Sequence, residues 1–241
     1  MFFQCVLLAK FLLVGKMFDK EDYEKFLFDT KCVGFFDPPI TLKSGRPGHW
    51  YVNMRDALQT EETKYKLARF VYDFIIQEDL KPDHFLGVPD GATPVAQACN
   101  SFIDYKARSK TPASILRAGK KAHGDPQNRY SVGPLKSGSH VVLIEDVTTT
   151  GGSSMEQILR LQELGVWIDR LVSCVSRYER RDRGRTVPDV LEKDYHINYS
   201  ALTDARTLLP KAVNLFSPSE QLIKDIEEYY QKYGIEQIKL A

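Results

Sequence analysis

Val141-Val142-Leu143-Ile144-Glu145-Asp146-Val147-Thr148-Thr149-Thr150-Gly151-Gly152-Ser153-Ser154 reads as a strand, a turn and the start of a helix in unbroken succession. Its apolar, β-branched opening at 141–144 has no polar face to offer water, which predicts a strand buried on both sides, as in a parallel sheet. Glu145 and Asp146 stand at the carboxyl end of that run. A Thr/Gly/Ser loop then leads into a helical pattern over about 152–164, closed by Gly165. Ligands of open α/β sheets bind beyond the carboxyl ends of the strands, so this turn is the expected site.

Each residue type in the turn has a physical use. Gly151 and Gly152 let the backbone approach a ligand, and the unpaired N–H groups at the start of the following helix favour a phosphate. Thr148, Thr149, Thr150 and Ser153 add hydroxyl donors. Glu145 and Asp146 would repel a phosphate, so they are better used to accept hydrogen bonds from a neutral ribose diol. A phosphate at one end and a diol at the other describe a ribose 5-phosphate. No Gly-Lys-Ser/Thr follows and no Gly-x-Gly-x-x-Gly is present, which excludes a P-loop and a dinucleotide fingerprint.

The run from Ile144 to Ser154 resembles the 5-phosphoribosyl 1-diphosphate (PRPP) motif of type I phosphoribosyltransferases. That resemblance implies an α/β fold with a central, mostly parallel sheet flanked by helices and a small amino-terminal hood. It leaves the acceptor base open.

Length and composition agree with one α/β unit. The 241 residues suffice for a sizeable core, and 33 basic against 32 acidic residues leave no global field for nucleic acid, although 177–185 is rich in Arg. Cys5, Cys32, Cys99 and Cys174 show no paired or metal-ligand spacing, which fits a reduced, cytoplasmic protein. Met1 to Val14 is apolar but too short to span a bilayer, and it lacks the basic start and cleavage site of a secretory signal. Residues 1–16 are therefore expected to be a leader or upstream-start extension, followed by a hood (17–58), a PRPP-binding core (59–202) and carboxyl-terminal helices (203–241). Asp19 is a predicted N-cap for a helix to about Asp29, and Thr60 for one to Glu78. A strand is expected at 168–175, another over 195–202, and helices near 203–209 and 217–233.

Further blocks resemble orotate phosphoribosyltransferases in particular. Thr41-Leu42-Lys43-Ser44-Gly45-Arg46, followed by Tyr51 and Asn53, is similar to their hood, where the resemblance implies that Lys43 reaches the ligands and Tyr51 packs on the base. The second aromatic of that family is Val52 here. Pro89 to Pro94 matches the diphosphate turn, with Asp90 and Gly91 in place of the usual Tyr and Lys or Thr; Asp90 is the one carboxylate there that could meet magnesium. Arg117 to Asp125 resembles the mobile catalytic loop: Arg117, Lys121 and His123 match, Ala118 replaces a Lys, and Lys120 is the neighbouring cation. Arg177 matches the Arg that pairs with the carboxylate of the base, with Ser176 where an Asp is usual.

These resemblances imply an enzyme that converts orotate and PRPP to orotidine 5′-monophosphate and pyrophosphate with Mg²⁺. Lys121, His123 and Asp146 would be catalytic, and Lys43, Tyr51, Arg117, Lys120, Glu145, Asp146, Thr148–Ser153 and Arg177 would bind substrate. They also imply a homodimer whose loop 117–133 crosses the interface, with no nucleic-acid or membrane partner. Two alternatives share the motifs: a phosphoribosyltransferase for another nucleobase, and a non-catalytic regulator that binds PRPP or a nucleotide. Deletion of residues 1–16 should leave the melting temperature and turnover unchanged; an insoluble or inactive truncation would make the leader part of the fold.

Overall fold

A computed structural model of the chain describes residues 17–107, 111–119 and 130–240. The leader and the loop residues Lys120, Lys121 and His123 lie outside the described residues.

Helix α1 (Lys20–Asp29) begins where Asp19 accepts the backbone N–H groups of Glu21 and Asp22. Strands β1 (Val33–Thr41) and β2 (Pro47–Val52) form the antiparallel hood. Helix α2 (Glu61–Gln77) is capped by Thr60, which exchanges hydrogen bonds with Thr63. Strand β3 (His84–Gly87), helix α3 (Thr93–Ala107) and the short antiparallel pair β4 (Ile115–Leu116) and β5 (Ser131–Val132) follow. The expected central strand is β6 (His140–Thr148), which leads to α4 (Gly152–Glu163) and β7 (Trp167–Ser176). Helix α5 (Val187–Tyr195), strand β8 (Asn198–Asp204), α6 (Ala205–Phe216) and α7 (Glu220–Tyr233) complete the chain.

The main sheet has the order β3-β6-β7-β8, all parallel. Strand alternation divides the core between its faces. Val142 and Ile144 join one cluster with Phe85, Val172 and the apolar sides of α1, α2, α3, α6 and α7. Val141 and Leu143 join the other with Leu86, Leu171 and residues of α4 and α5. Residues 141–144 are all fully buried, as the unbroken apolar run requires. The first cluster also contains Trp50 and Val52 of the hood, so hood, sheet and terminal helices share one core.

Two boundaries differ from the sequence expectation. The strand expected from 195 starts at Asn198, because α5 occupies the residues before it. That helix was legible: Thr186 and Asp189 form a capping box, with Pro188 in the first turn. The helix expected to stop at 209, before Pro210, runs to Phe216. Proline inside a helix costs about 3 kcal/mol. Leu208, Leu209 and Ala212 are fully buried, and packing of that stripe offsets the lost hydrogen bond.

No helix among the described residues is long and apolar enough to cross a membrane. His84 opens β3 at 1% exposure, and among the described residues neither ring nitrogen has a hydrogen-bond partner. Burial, opposed by the charge of Asp83, pushes its pKa below the ordinary 6.5. A depressed histidine contributes stability that is full above pH 6.5 and is lost as the pH falls below it, because the unfolded chain takes up a proton that the folded one refuses. The variant His84→Leu should therefore lose less melting temperature than the parent between about pH 7 and 5. Parallel curves would show that another group sets the acid limb.

Candidate active site

A cleft of about 720 Å³ opens between the hood and the carboxyl ends of the parallel strands. Its walls come from Lys43 and Tyr51 of the hood, Pro89 to Gly91 after β3, the stretch from Glu145 to Ser153, and Arg177 after β7. The structure thus gathers most of the sequence-predicted residues in one place. Arg117 does not line the cleft among the described residues; its backbone N–H donates to Tyr130 at 2.8 Å, closing the base of the loop that holds Lys120, Lys121 and His123.

The loop after β6 leaves the start of the next helix uncapped by a side chain. Gly151 is the N-cap of α4, with φ +68° and no side-chain cap, so no side chain claims the first N–H groups of the helix. A Cβ at Gly151 would stand 3.1 Å from Val187 Cγ1, in a backbone conformation that glycine alone adopts readily. Arg181 Nη1 donates to the carbonyl of Thr150, on the loop itself. From the hood, Lys43 Nζ donates to Ser153 Oγ at 2.7 Å, which brings a cation onto this loop. Thr149, Thr150 and Ser153 are half-buried, whereas Thr148 lies at 2% exposure with its Oγ1 unpartnered among the described residues.

The acid pair divides into two environments. Glu145 is buried and accepts a hydrogen bond from Ser154 Oγ. Burial first, and then the adjacent Asp146 charge, hold its carboxyl well above the usual carboxylate range. Asp146 lies against Gly91: a Cβ at that glycine would come within 2.1 Å of Asp146 Oδ2. The departure at Gly91 therefore has a spatial reason, since any side chain there would displace the carboxylate. Asp90 beside it is exposed, and the Pro89–Asp90 peptide is cis.

Two base-side expectations change. Alternation along β2 buries Val52 in the core, so it cannot share a face with Tyr51; the ring beside Tyr51 is Phe36 of β1, edge-on at 6.4 Å. Arg177 does not present a free fork. Its Nε donates to Glu179 Oε1 at 2.6 Å and its Nη1 to the Trp50 carbonyl at 3.0 Å, with the guanidinium 4.4 Å over the Trp50 ring. Only Nη2 is left buried and without a partner among the described residues.

Residues 54–194 match the model of the phosphoribosyl transferase domain. The chain belongs to the phosphoribosyltransferase family. It is 30% identical over 160 residues to the orotate phosphoribosyltransferase of Pyrococcus furiosus, covering 66% of this chain and 82% of that one. It is 34% identical over 154 residues to the orotate phosphoribosyltransferase of Methanocorpusculum labreanum, covering 63% and 80%. The solved orotate phosphoribosyltransferase of Francisella tularensis superposes with a TM-score of 0.66 at 24% identity, covering 87% of this chain and 98% of that chain, which shows a common fold. Among the type I phosphoribosyltransferases, this one is most like the orotate enzymes.

Sequence reasoning passed over Glu179, Arg46, Trp50 and Arg181, which shape this phosphoribosyltransferase's cleft from behind. The Arg-rich run at 177–185 was a signal, but an equally good solvated loop has the same composition. In this phosphoribosyltransferase Gly91→Ala should act on the ligand more than on the fold, because the atom it meets is the end of a side chain that can turn away. The expected outcome is a melting temperature close to that of the parent and a KM for PRPP raised about tenfold, the ~1.4 kcal/mol of a weakened hydrogen bond. An unchanged KM would show that Asp146 does not need its observed position.

Proposed function

We propose that this phosphoribosyltransferase transfers the phosphoribosyl group of PRPP to orotate, giving orotidine 5′-monophosphate and pyrophosphate in pyrimidine biosynthesis. The family supports the donor, and the similarity to orotate enzymes supports the acceptor. The observation that carries the choice of base is Arg177: a fully buried cation lining the cleft, with one nitrogen unpartnered among the described residues. A carboxylate on the base would accept from that Nη2. An uncharged base would leave it desolvated and unpaired.

In this reading the 5-phosphate sits on the N–H groups of Gly152 and Ser153 at the start of α4, with the hydroxyls of Thr149, Thr150 and Ser153 around it. Asp146 and Glu145 accept from the ribose diol, and Tyr51 packs on the base. Cleavage at C1′ builds positive charge on the ribose and negative charge on the leaving diphosphate. Asp146 faces the first, while Arg117, Lys120, Lys121 and His123 meet the second as it grows, where binding energy lowers the barrier. Lys121 and His123 are assigned there through the family resemblance, since they lie outside the described residues.

Asp90 and Asp146 fit a magnesium ion held mainly by the diphosphate, since Mg²⁺ takes one or two carboxylates together with substrate phosphates. When bound, the ion would neutralise charge on the leaving group. Among the described residues no group of three His, Cys, Asp or Glu is placed to hold a metal, so the phosphates would supply the remaining ligands. We assign the enzyme to the cytoplasm, which the buried free thiols of Cys32, Cys99 and Cys174 suit. We also assign it a homodimeric state, in which loop 117–133 would reach the partner's cleft and exclude water.

A turnover assay with PRPP and a panel of bases tests the reading. Orotate should exceed uracil in kcat/KM by roughly 30- to 3,000-fold, from the ~2–5 kcal/mol of a buried charge pair. Asp146→Asn should lower kcat/KM for PRPP by roughly 10- to 150-fold, the ~1.5–3 kcal/mol of a hydrogen bond to a charged group, with the fold intact by circular dichroism. Turnover of a purine base, or of none, would overturn the assignment.

A further inference from the structure

The geometry points to Glu179 as a positioning residue that aims Arg177 into the cleft and so sets the preference for a base bearing a carboxylate, an inference that rests on the orotate reading above. Glu179 is buried, with no exposed side-chain surface, and both of its oxygens are used. Oε1 accepts from Arg177 Nε at 2.6 Å, and Oε2 accepts from Arg46 Nη1 at 2.9 Å. Arg46 belongs to the hood turn, lies 4.6 Å over the Tyr233 ring and donates through Nη2 to the Arg180 carbonyl at 2.8 Å. Glu179 therefore ties the hood to the end of β7 at the back of the base subsite.

A guanidinium is planar, so fixing two of its nitrogens fixes the direction of the third. Glu179 holds Nε and the Trp50 carbonyl holds Nη1, which leaves Nη2, buried at the back of the cleft that Arg177 lines, as the guanidinium nitrogen without a partner among the described residues. Trp50 is itself held, because its Nε1 donates to Tyr230 Oη at 3.1 Å and that hydroxyl donates to the Arg177 carbonyl at 2.9 Å.

The charges of the buried unit do not cancel. Arg46, Arg177 and Glu179 are all buried and leave the unit with one net positive charge. Asp182 approaches Arg46 at 3.5 Å, but its side chain is fully exposed and screened by water. Glu179 thus makes the charge tolerable without cancelling it.

The test is steady-state kinetics of the full chain carrying Glu179→Gln, with orotate, uracil and PRPP varied separately. The amide keeps the size of the side chain but turns one oxygen into a donor that faces an arginine donor. KM for orotate should rise at least about tenfold and the orotate-to-uracil ratio of kcat/KM should fall by a similar factor, the ~1.4 kcal/mol of a misaligned charge-assisted bond. KM for PRPP should stay within about threefold, since its loop does not touch Glu179. An unchanged ratio, or equal damage to orotate and PRPP, overturns the positioning role while the parent's own preference for orotate leaves the function standing. A parent that does not prefer orotate over uracil removes both. Should Glu179→Gln fail to fold, Arg46→Met decides. It deletes the other user of Glu179 and leaves the Nε bond, so the ratio should be kept; a collapsed ratio would make the network a support of the fold alone.

Discussion

Burial of β6 on both faces is the constraint from which the rest of the molecule follows. Its residues 141–144 alternate between two cores and expose nothing, so the strand can be polar only where both helix layers end. Glu145 and Asp146 occupy that margin. The first is still buried and is kept above the usual carboxylate range, whereas the second reaches the cleft in the space left by Gly91. The site exists because the sheet stops being covered there, and its electrostatics come from the same edge.

The phosphate loop and the hood meet this edge from opposite sides. Gly151 turns the chain through a left-handed conformation and opens the start of α4, and Lys43 crosses the cleft to Ser153. A cation over a helix start is a favourable place for an anion. Arg46, three residues further on, is anchored to Glu179 in the interior.

That anchor is expensive. Removing one partner of a buried ion pair typically costs about 3–5 kcal/mol, yet an apolar replacement of the whole unit is often neutral. The Arg46–Glu179–Arg177 unit is therefore better understood as a device that holds charge in a set direction than as a source of stability. The aromatic rings of Trp50, Tyr229 and Tyr233 surround it and keep water away from the guanidinium groups. It also ties α7, far along the chain, to the end of β7: Tyr230 links Trp50 to the Arg177 backbone.

Local chemistry was legible without coordinates. An apolar run followed by two acids and a Thr/Gly/Ser turn can be little else than a buried strand ending in a ligand loop, and Asp19 and Thr60 begin helices because their side chains satisfy N–H groups a few residues away. Such signals lie within one turn of chain, where residue type alone decides the outcome. Helix α6 passed through Pro210 against its local signal, because Leu208, Leu209 and Ala212 pack on a sheet built from distant residues. Arg177 could be named from its place after a strand, but how its guanidinium is committed depends on Glu179, Trp50 and the hood at once. Gly91 looked like a departure until Asp146, far along the chain, was seen to fill the space beside it. Sequence determined which groups are present and in what order along the strand and its turn; only the tertiary structure decided which donor of each is left free, because that depends on partners brought together by packing rather than by proximity in the chain.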